Sequence, residues 1–507
     1  MNKQLITESQ NRDLETIIEE LSKIKEIAGD ALFEAVENRD QKNAKKLIQA
    51  GADVNFVKYN GWTPLMQASS DGEKEIAQIL IEKGANLDMQ NHDGVTALMI
   101  AVENNQKEIA QSLIKGGSNL DMQDEEGYTA LMVATYEGEK EIAQILIDEG
   151  SCLDMQNHDG VTALMFAVEN NQKEIAQSLI KGGANLDMQD EEGYTALMVA
   201  AYEGEKEIAQ RLIDKGANLD MQNHDGMTAL MFAVENNQKE IAQSLIKGGA
   251  NLDMQDEEGH TALMVAAYEG EKEIAQILID KGATLDMQNH DGLTALKIAS
   301  QENRKEIVQT LIDKGATLDI QDKDGWTALT IAVYHKRKDI VRCLLQAGAN
   351  INMQDAAGWT ALMIASQENS NKEIVQTLIE KGATLDIQDK DGWTALTIAV
   401  YHKRKDIVRC LLQAGANINM QNKEGKTALM IAIERKNPVI FQELIENGAD
   451  VLIKDNQGID AYHYVMKSGN KKMARIIKGG AKKELSKRKV ASQQVLMAQN
   501  FGRQNGI

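Results

Sequence analysis

The tetrad Thr-Ala-Leu-Met, or a close variant, begins at Thr63 and returns at Thr96, Thr129, Thr162 and onward with one constant step through Thr360. The next step, to Thr394, is one residue longer, and Thr427 restores the period. The extra residue falls in "SQENSNKEIV" from Ser366, where the sister stretch from Ser300 reads "SQENRKEIV". Weaker copies, "DALFEAV" from Asp30 and "DAYHYVM" from Asp460, bring the count to fourteen units. A period of this length, held this long, is the signature of stacked supersecondary units and not of separate globular domains.

One unit, Asn91 to Gln123, shows what each copy can fold into. Asp93-Gly94 is a turn signal, because glycine permits positive φ. Thr96 can cap a helix N-terminus. Ala97, Leu98, Ala101 and Val102 then form an apolar face at helical spacing. Asn104-Asn105 breaks that helix, and Lys107-Glu108 starts a second one with Ile109, Ala110, Leu113 and Ile114 apolar. Gly116-Gly117 supplies the C-terminal cap, and "NLDMQ" runs extended into the next turn. Each helix is too short to stand alone in water, so each pair must bury its apolar face against neighbouring pairs. The expected fold is therefore an all-α repeat solenoid of helix-turn-helix units with β-turn tips, about 14 stacked repeats in a curved, elongated array.

Composition agrees. Aromatic residues are 4% of the 507 residues and prolines number 2, while Ala, Leu, Ile and Met dominate the apolar set. That suits closely packed helices and suits strands poorly. The net charge of -22 repels phosphate backbones and disfavours nucleic acid as a partner. No apolar run approaches the ~20 residues of a membrane helix, and "MNKQLITESQNRDLETIIEEL" lacks the apolar core of a secretory signal. Three cysteines describe a reducing, cytoplasmic-type compartment and no disulfide framework.

The ends differ from the middle. Residues 1–28 are expected to form an N-terminal helical cap, with Leu14, Ile17, Ile18, Leu21, Ile24 and Ile27 on one face covering the first repeat. Residues 29–480 hold the array, and residues 481–507 form a basic C-terminal tail with one acid against six Lys/Arg.

The constant period, the Gly-x-Thr-x-Leu opening and the Gly-Ala-x-Leu/Ile-x-x-Gln exit resemble the ankyrin repeat family over nearly the whole chain. Long, nearly uniform arrays of this kind are similar to those of intracellular bacteria, which deliver such proteins into host cells, and to those of protists. The family's Thr-Pro-Leu-His reads Thr-Ala-Leu-Met here, with proline only at Pro64. The family's histidine hydrogen-bonds across the repeat loop. Met99, Met132 and their equivalents are expected to replace that bond by packing alone.

The resemblance implies a non-enzymatic scaffold or adaptor that binds a partner protein on a concave face of turn tips and first helices. Carried onto this chain, one half of that face is acidic with interleaved tyrosines: Glu125, Tyr128 and Tyr136, then Glu191, Tyr194 and Tyr202, then Glu257 and Tyr268. The other half holds Trp326, Tyr334 and His335, then Trp359, then Trp393, Tyr401 and His402. Exposed Trp and Tyr on a rigid face are the usual anchors of an interface. Alternatives are a membrane-surface or cytoskeletal tether using the basic tail, an ankyrin-linked enzyme, and self-association.

A second period lies on the first. Two-repeat cassettes run three times from Asn91 to Gln288, and "DGWTALTIAVYHKRKDIVRCLLQAG" occurs identically from Asp324 and from Asp391. Duplication of a cassette therefore explains several tempting constellations. His92, His158, His224 and His290 stand two repeats apart. Stacked helices sit ~8–10 Å apart, so no ion bridges them. Cys343 and Cys410 are expected in the packed layer of the second helix, inert as nucleophiles. The acids of "DEEG" and "DKDG" lack the alternation of a calcium loop. Lys336-Arg337-Lys338 near Trp326 has nucleic-acid-like composition, but it also fits a solvated loop or a protein contact. No cofactor or metal motif is present, and no catalytic activity is expected.

Overall fold

The computed structural model describes residues 2–368 and 371–478, with side chains described from Glu19 onward except at Leu21. The chain divides into two compact units, Met1–Glu257 and Glu258–Ile507. Both units are built the same way. Among the described residues each is a run of short helix pairs, and no strands are present beyond isolated bridges such as Gln90 to Thr96.

In the repeat from Asn91, the inner helix runs Ala97–Glu103 and the outer helix Lys107–Lys115. Thr96 is the N-cap, its hydroxyl accepting from the Met99 amide at 3.3 Å. Asn105 takes φ +53 to end the inner helix, and Gly117 takes φ +94 to end the outer one. The inner helix is apolar over more than one face. Ala97, Leu98, Met99, Ile100, Ala101 and Val102 are all buried, because neighbouring repeats cover it on both sides. The outer helix is amphipathic, with Ile109, Ala110, Leu113 and Ile114 buried and charged residues outward.

Three ladders tie successive repeats together in the first unit. At the turn tips, Glu125 N–H donates to the Asp93 carbonyl (2.9 Å), His158 to Glu126 (3.0 Å) and Glu191 to Asp159 (2.9 Å). Beneath them each glutamine amide reaches the next repeat, Gln90 Nε2 to the Gln123 carbonyl (2.7 Å) and Gln123 Nε2 to that of Gln156 (2.8 Å). At the opposite edge Asp88 accepts from the Asn119 amide (2.8 Å), and Asp121 from that of Cys152 (2.8 Å). The second unit repeats these contacts. Gln321 Nε2 donates to the Gln354 carbonyl (2.9 Å), and Asp319 accepts from the Asn350 amide (2.9 Å). Backbone polar groups buried between repeats are thereby satisfied. The tips are also tight. A Cβ on Gly94, itself at φ +77, would lie 2.6 Å from the Glu125 nitrogen.

Two features differ from expectation. The N-terminal helix does not stop before the first repeat. One helix runs Asn2–Glu37 and carries Leu32, Phe33 and Val36 into the core. The helix passes through Gly29-Asp30, a pair that could stop one helix and cap the next, and the missing Cβ of Gly29 leaves room for the Phe56 ring to approach. Ile24 and Ile27 on this helix are 61% and 71% exposed, and Ile27 lines an open cavity together with Phe56, Val57 and Tyr59. The side chains of Leu14, Ile17, Ile18 and Leu21 lie outside the described residues. The extra residue after Ser366 goes with a shortened inner helix, Ala361–Ala365. Asn369 and Ser370 at that point, and the basic tail 481–507, lie outside the described residues.

Candidate protein-binding surface

The turn tip and the end of the inner helix place the candidate residues. In each repeat the inner helix presents one outward position at its C-terminal end. Tyrosine fills it at Tyr136, Tyr202, Tyr268, Tyr334 and Tyr401, which are 56%, 51%, 56%, 54% and 38% exposed. These five make up nearly half of the exposed large apolar side chains among the described residues. The others, Ile24, Ile27, Val57, Tyr59, Val439 and Met466, lie in the N-terminal helix or in the first two and last two repeats, so between these ends this register stands out as a stripe within each unit.

In the first unit the tyrosines are gripped by a phenylalanine of the following repeat. Phe166 meets Tyr128 in a stacked pair (5.5 Å between centroids) and Tyr136 edge-on (6.1 Å). Phe232 treats Tyr194 and Tyr202 the same way, at 5.2 and 6.2 Å. Burial, with neighbouring carboxylates behind it, holds the Tyr128 and Tyr194 phenols above their usual pKa, so both stay neutral. Glu125, Glu191 and Glu257 are exposed at the tips, their amides committed to the ladder and their carboxylates outward. The phenylalanines escaped sequence reading. Their signal is the change from "ALMIAV" at Ala97 to "ALMFAV" at Ala163 and Ala229.

In the second unit the aromatic contacts are internal to one repeat. Trp326 lies half-buried at its tip, its amide donating to Asp322 Oδ1 (2.8 Å), and its ring meets Tyr334 edge-on at 5.0 Å. Tyr334 in turn meets His335 at 5.2 Å. Trp393, Tyr401 and His402 repeat the stack at 5.3 and 5.2 Å. Trp359 takes the same tip position, but Gln367 replaces the tyrosine, so this tryptophan has no such ring beside it. Tyr401 is less available than Tyr334, because Arg435 lies over its ring at 4.1 Å and donates to its carbonyl at 3.1 Å. Tyr268 has no ring contact of this kind, and its carbonyl accepts from Arg304 (2.9 Å).

His335 and His402 are half-buried, and both are held below the ordinary imidazole pKa. Burial is the first cause, followed by Arg337 beside His335 and by Arg404 and Arg435 beside His402. They are neutral rings at neutral pH. The basic run is engaged within the array. Arg337 donates to the Gln301 carbonyl at 2.9 Å, Lys336 pairs with Glu368, and Lys338 pairs with Glu373. Arg404 likewise caps the Gln367 carbonyl.

Cys343 and Cys410 are half-buried rather than enclosed, and Cys152 is exposed. Both half-buried thiols lie on outer helices whose buried positions are Ile340, Val341 and Leu344, and Ile407, Val408 and Leu411, because each outer helix is covered on one face only. His92, His158, His224 and His290 are exposed at separate tips. Among the described residues no three His, Cys, Asp or Glu side chains converge as a metal site.

Short helix pairs in register, joined by ladders that repeat once per unit, define a helical repeat solenoid. A family model described as ankyrin repeats (3 copies) matches overlapping windows from residue 32 to residue 487, and the chain belongs to that family. Ankyrin repeats are generally protein–protein interaction modules and are typically non-catalytic. No curated protein matches the chain. Among the described residues no helix is long and apolar enough to cross a membrane.

Proposed function

We propose that this chain is a non-enzymatic adaptor that binds a partner protein through the turn tips and inner-helix ends. The supporting observation is the tyrosine register: five tyrosines at one repeat position, Tyr136 and Tyr202 in the first unit and Tyr268, Tyr334 and Tyr401 in the second, each between 38% and 56% exposed on inner helices that are otherwise mostly buried. Rigid aromatic anchors lose little side-chain entropy on binding and carry most of the energy of many interfaces. Trp326, Trp359 and Trp393 beside the stripe add apolar area, and Glu125, Glu191 and Glu257 supply an acidic rim. Three free cysteines fit a reducing compartment.

The test compares the full chain with a variant in which Trp326, Tyr334, His335, Trp393, Tyr401 and His402 are all changed to Ala. Equal helicity is established first by circular dichroism. A partner retained by the parent and lost by the variant places recognition in the second unit. A partner held equally by both moves it to the tyrosines of the first unit, where Tyr136 and Tyr202 are changed next. A partner indifferent to both sets overturns the proposal.

A further inference from the structure

The first unit holds two copies of one cavity. The first, about 330 Å³, has Met99 at its base, Tyr128 and Tyr136 as aromatic walls, and Glu103, Glu126 and Glu137 around it. The second, about 280 Å³, is built from Met165, Tyr194, Tyr202, Glu169, Glu192 and Glu203, each two repeats on from its counterpart. No basic side chain lines either cavity. Each tyrosine pair is fixed from behind by a phenylalanine of the next repeat, so the walls are formed before anything binds. Tyr136 and Tyr202 remain about half exposed, which leaves the mouth open.

An apolar base, two ring walls and a ring of carboxylates together suit one kind of side chain. A long aliphatic stem ending in a cation would bury its methylenes on the methionine and tyrosines and meet the glutamates with its charge. Acidic or phosphorylated groups are repelled, and a neutral apolar chain would strand the carboxylates. The two cavities are two repeats apart, which is roughly 16–20 Å from stacked-helix spacing. An extended chain covers ~3.3 Å per residue, so the cavities are about five or six residues apart along such a chain. A spacing of six puts both side chains on the same side of the strand.

We infer that the first unit binds an extended basic segment of a partner protein whose Lys or Arg side chains, about six residues apart, enter the two cavities together. This deepens the adaptor reading and rests on it.

The probe is a synthetic serine- and threonine-rich peptide with two arginines six residues apart, labelled for fluorescence anisotropy and titrated with the full chain at physiological salt. Comparison peptides place the arginines two residues apart, or replace one with citrulline. Simultaneous occupancy should make the six-spaced peptide at least about tenfold tighter than either. Changing Tyr136 and Tyr202 together to Ala should abolish that advantage, while Tyr→Phe at both positions should keep it. As a second variant, Glu137→Gln with Glu203→Gln should weaken binding and flatten its salt dependence. Equal affinity for all three peptides, or indifference to the tyrosine changes, overturns this inference. If such a chain still captures a partner through the second unit, the adaptor reading survives and only this site is lost.

Discussion

The thioether of Met99 accepts a hydrogen bond from the backbone N–H of Thr96, Sδ to N 3.4 Å, while the Thr96 hydroxyl accepts from the Met99 amide at 3.3 Å. The pair closes a reciprocal cap at the helix start. It recurs at Thr129–Met132, Thr162–Met165, Thr195–Met198 and Thr360–Met363. Sequence reasoning assigns these methionines to packing alone. The sulfur also supplies an acceptor, a weak one, to an amide that is otherwise buried. Where the position holds Thr330, its hydroxyl accepts from Thr327 N–H at 2.7 Å.

Met132→Leu keeps the volume and removes the acceptor. The Thr129 amide is then left unpaired, at a cost of about 1 kcal/mol. Hydrogen exchange at the Thr129 amide, read in the full chain, should accelerate about fivefold. Unchanged exchange would show that the sulfur contact contributes nothing.

Lys297 stands where most repeats hold methionine. It is 1% exposed, its Nζ donating to the Gly292 carbonyl (2.9 Å) with Asp322 at 3.9 Å. Burial pulls its pKa down to about 8, against a partial pull upward from Asp322. Below about pH 8 both folded and unfolded chains carry the proton, and folding bears the full desolvation cost. Between about 8 and 10.5 the unfolded chain binds more protons, so stability rises with pH. Lys297→Met should therefore stabilise the second unit at pH 7 by on the order of 2 kcal/mol. The gain should shrink as pH rises past 8 toward 10.5. Urea midpoints of both proteins across that range check it.

His335 and His402 have depressed folded-state pKa values, so the unfolded chain takes up protons first as pH falls below the ordinary imidazole value of 6.5. Stability contributed by the neutral rings is present above that value and is lost as pH falls toward the folded pKa. Proton NMR of the two imidazole signals should show both midpoints below 6.5. Partner binding through the second unit should be flat from pH ~7 to ~8.

Gly94 and Gly117 both have positive φ, +77 and +94, but only Gly94 lies against backbone. A Cβ at Gly117 meets nothing within 4 Å, so Gly117→Ala costs about 1 kcal/mol of backbone strain. Gly94→Ala adds a clash with Glu125 N at 2.6 Å and should cost at least about 2 kcal/mol. Thermal unfolding of the two variants should separate them clearly. Equal losses would mean that the tip is free to shift.

The period, the threonine caps, the two-helix unit and the outward register of Tyr136, Tyr202, Tyr268, Tyr334 and Tyr401 follow from the sequence alone. They depend on residues within one repeat, and repetition states them many times over. Outside the Trp-Tyr-His stacks of the second unit, which lie within one repeat, the contacts that shape the surface join residues of neighbouring repeats, and no spacing rule within a repeat announces them. Phe166 fixes Tyr128 and Tyr136 because the inner helices of adjacent repeats lie side by side. Arg337 is committed to the Gln301 carbonyl, and Arg435 covers Tyr401, for the same reason. Cys343 lies half-exposed because the outer helix is covered on one face only. Local propensity determined the brick. Only the stacking of one brick on the next decided which side chains remain open to a partner.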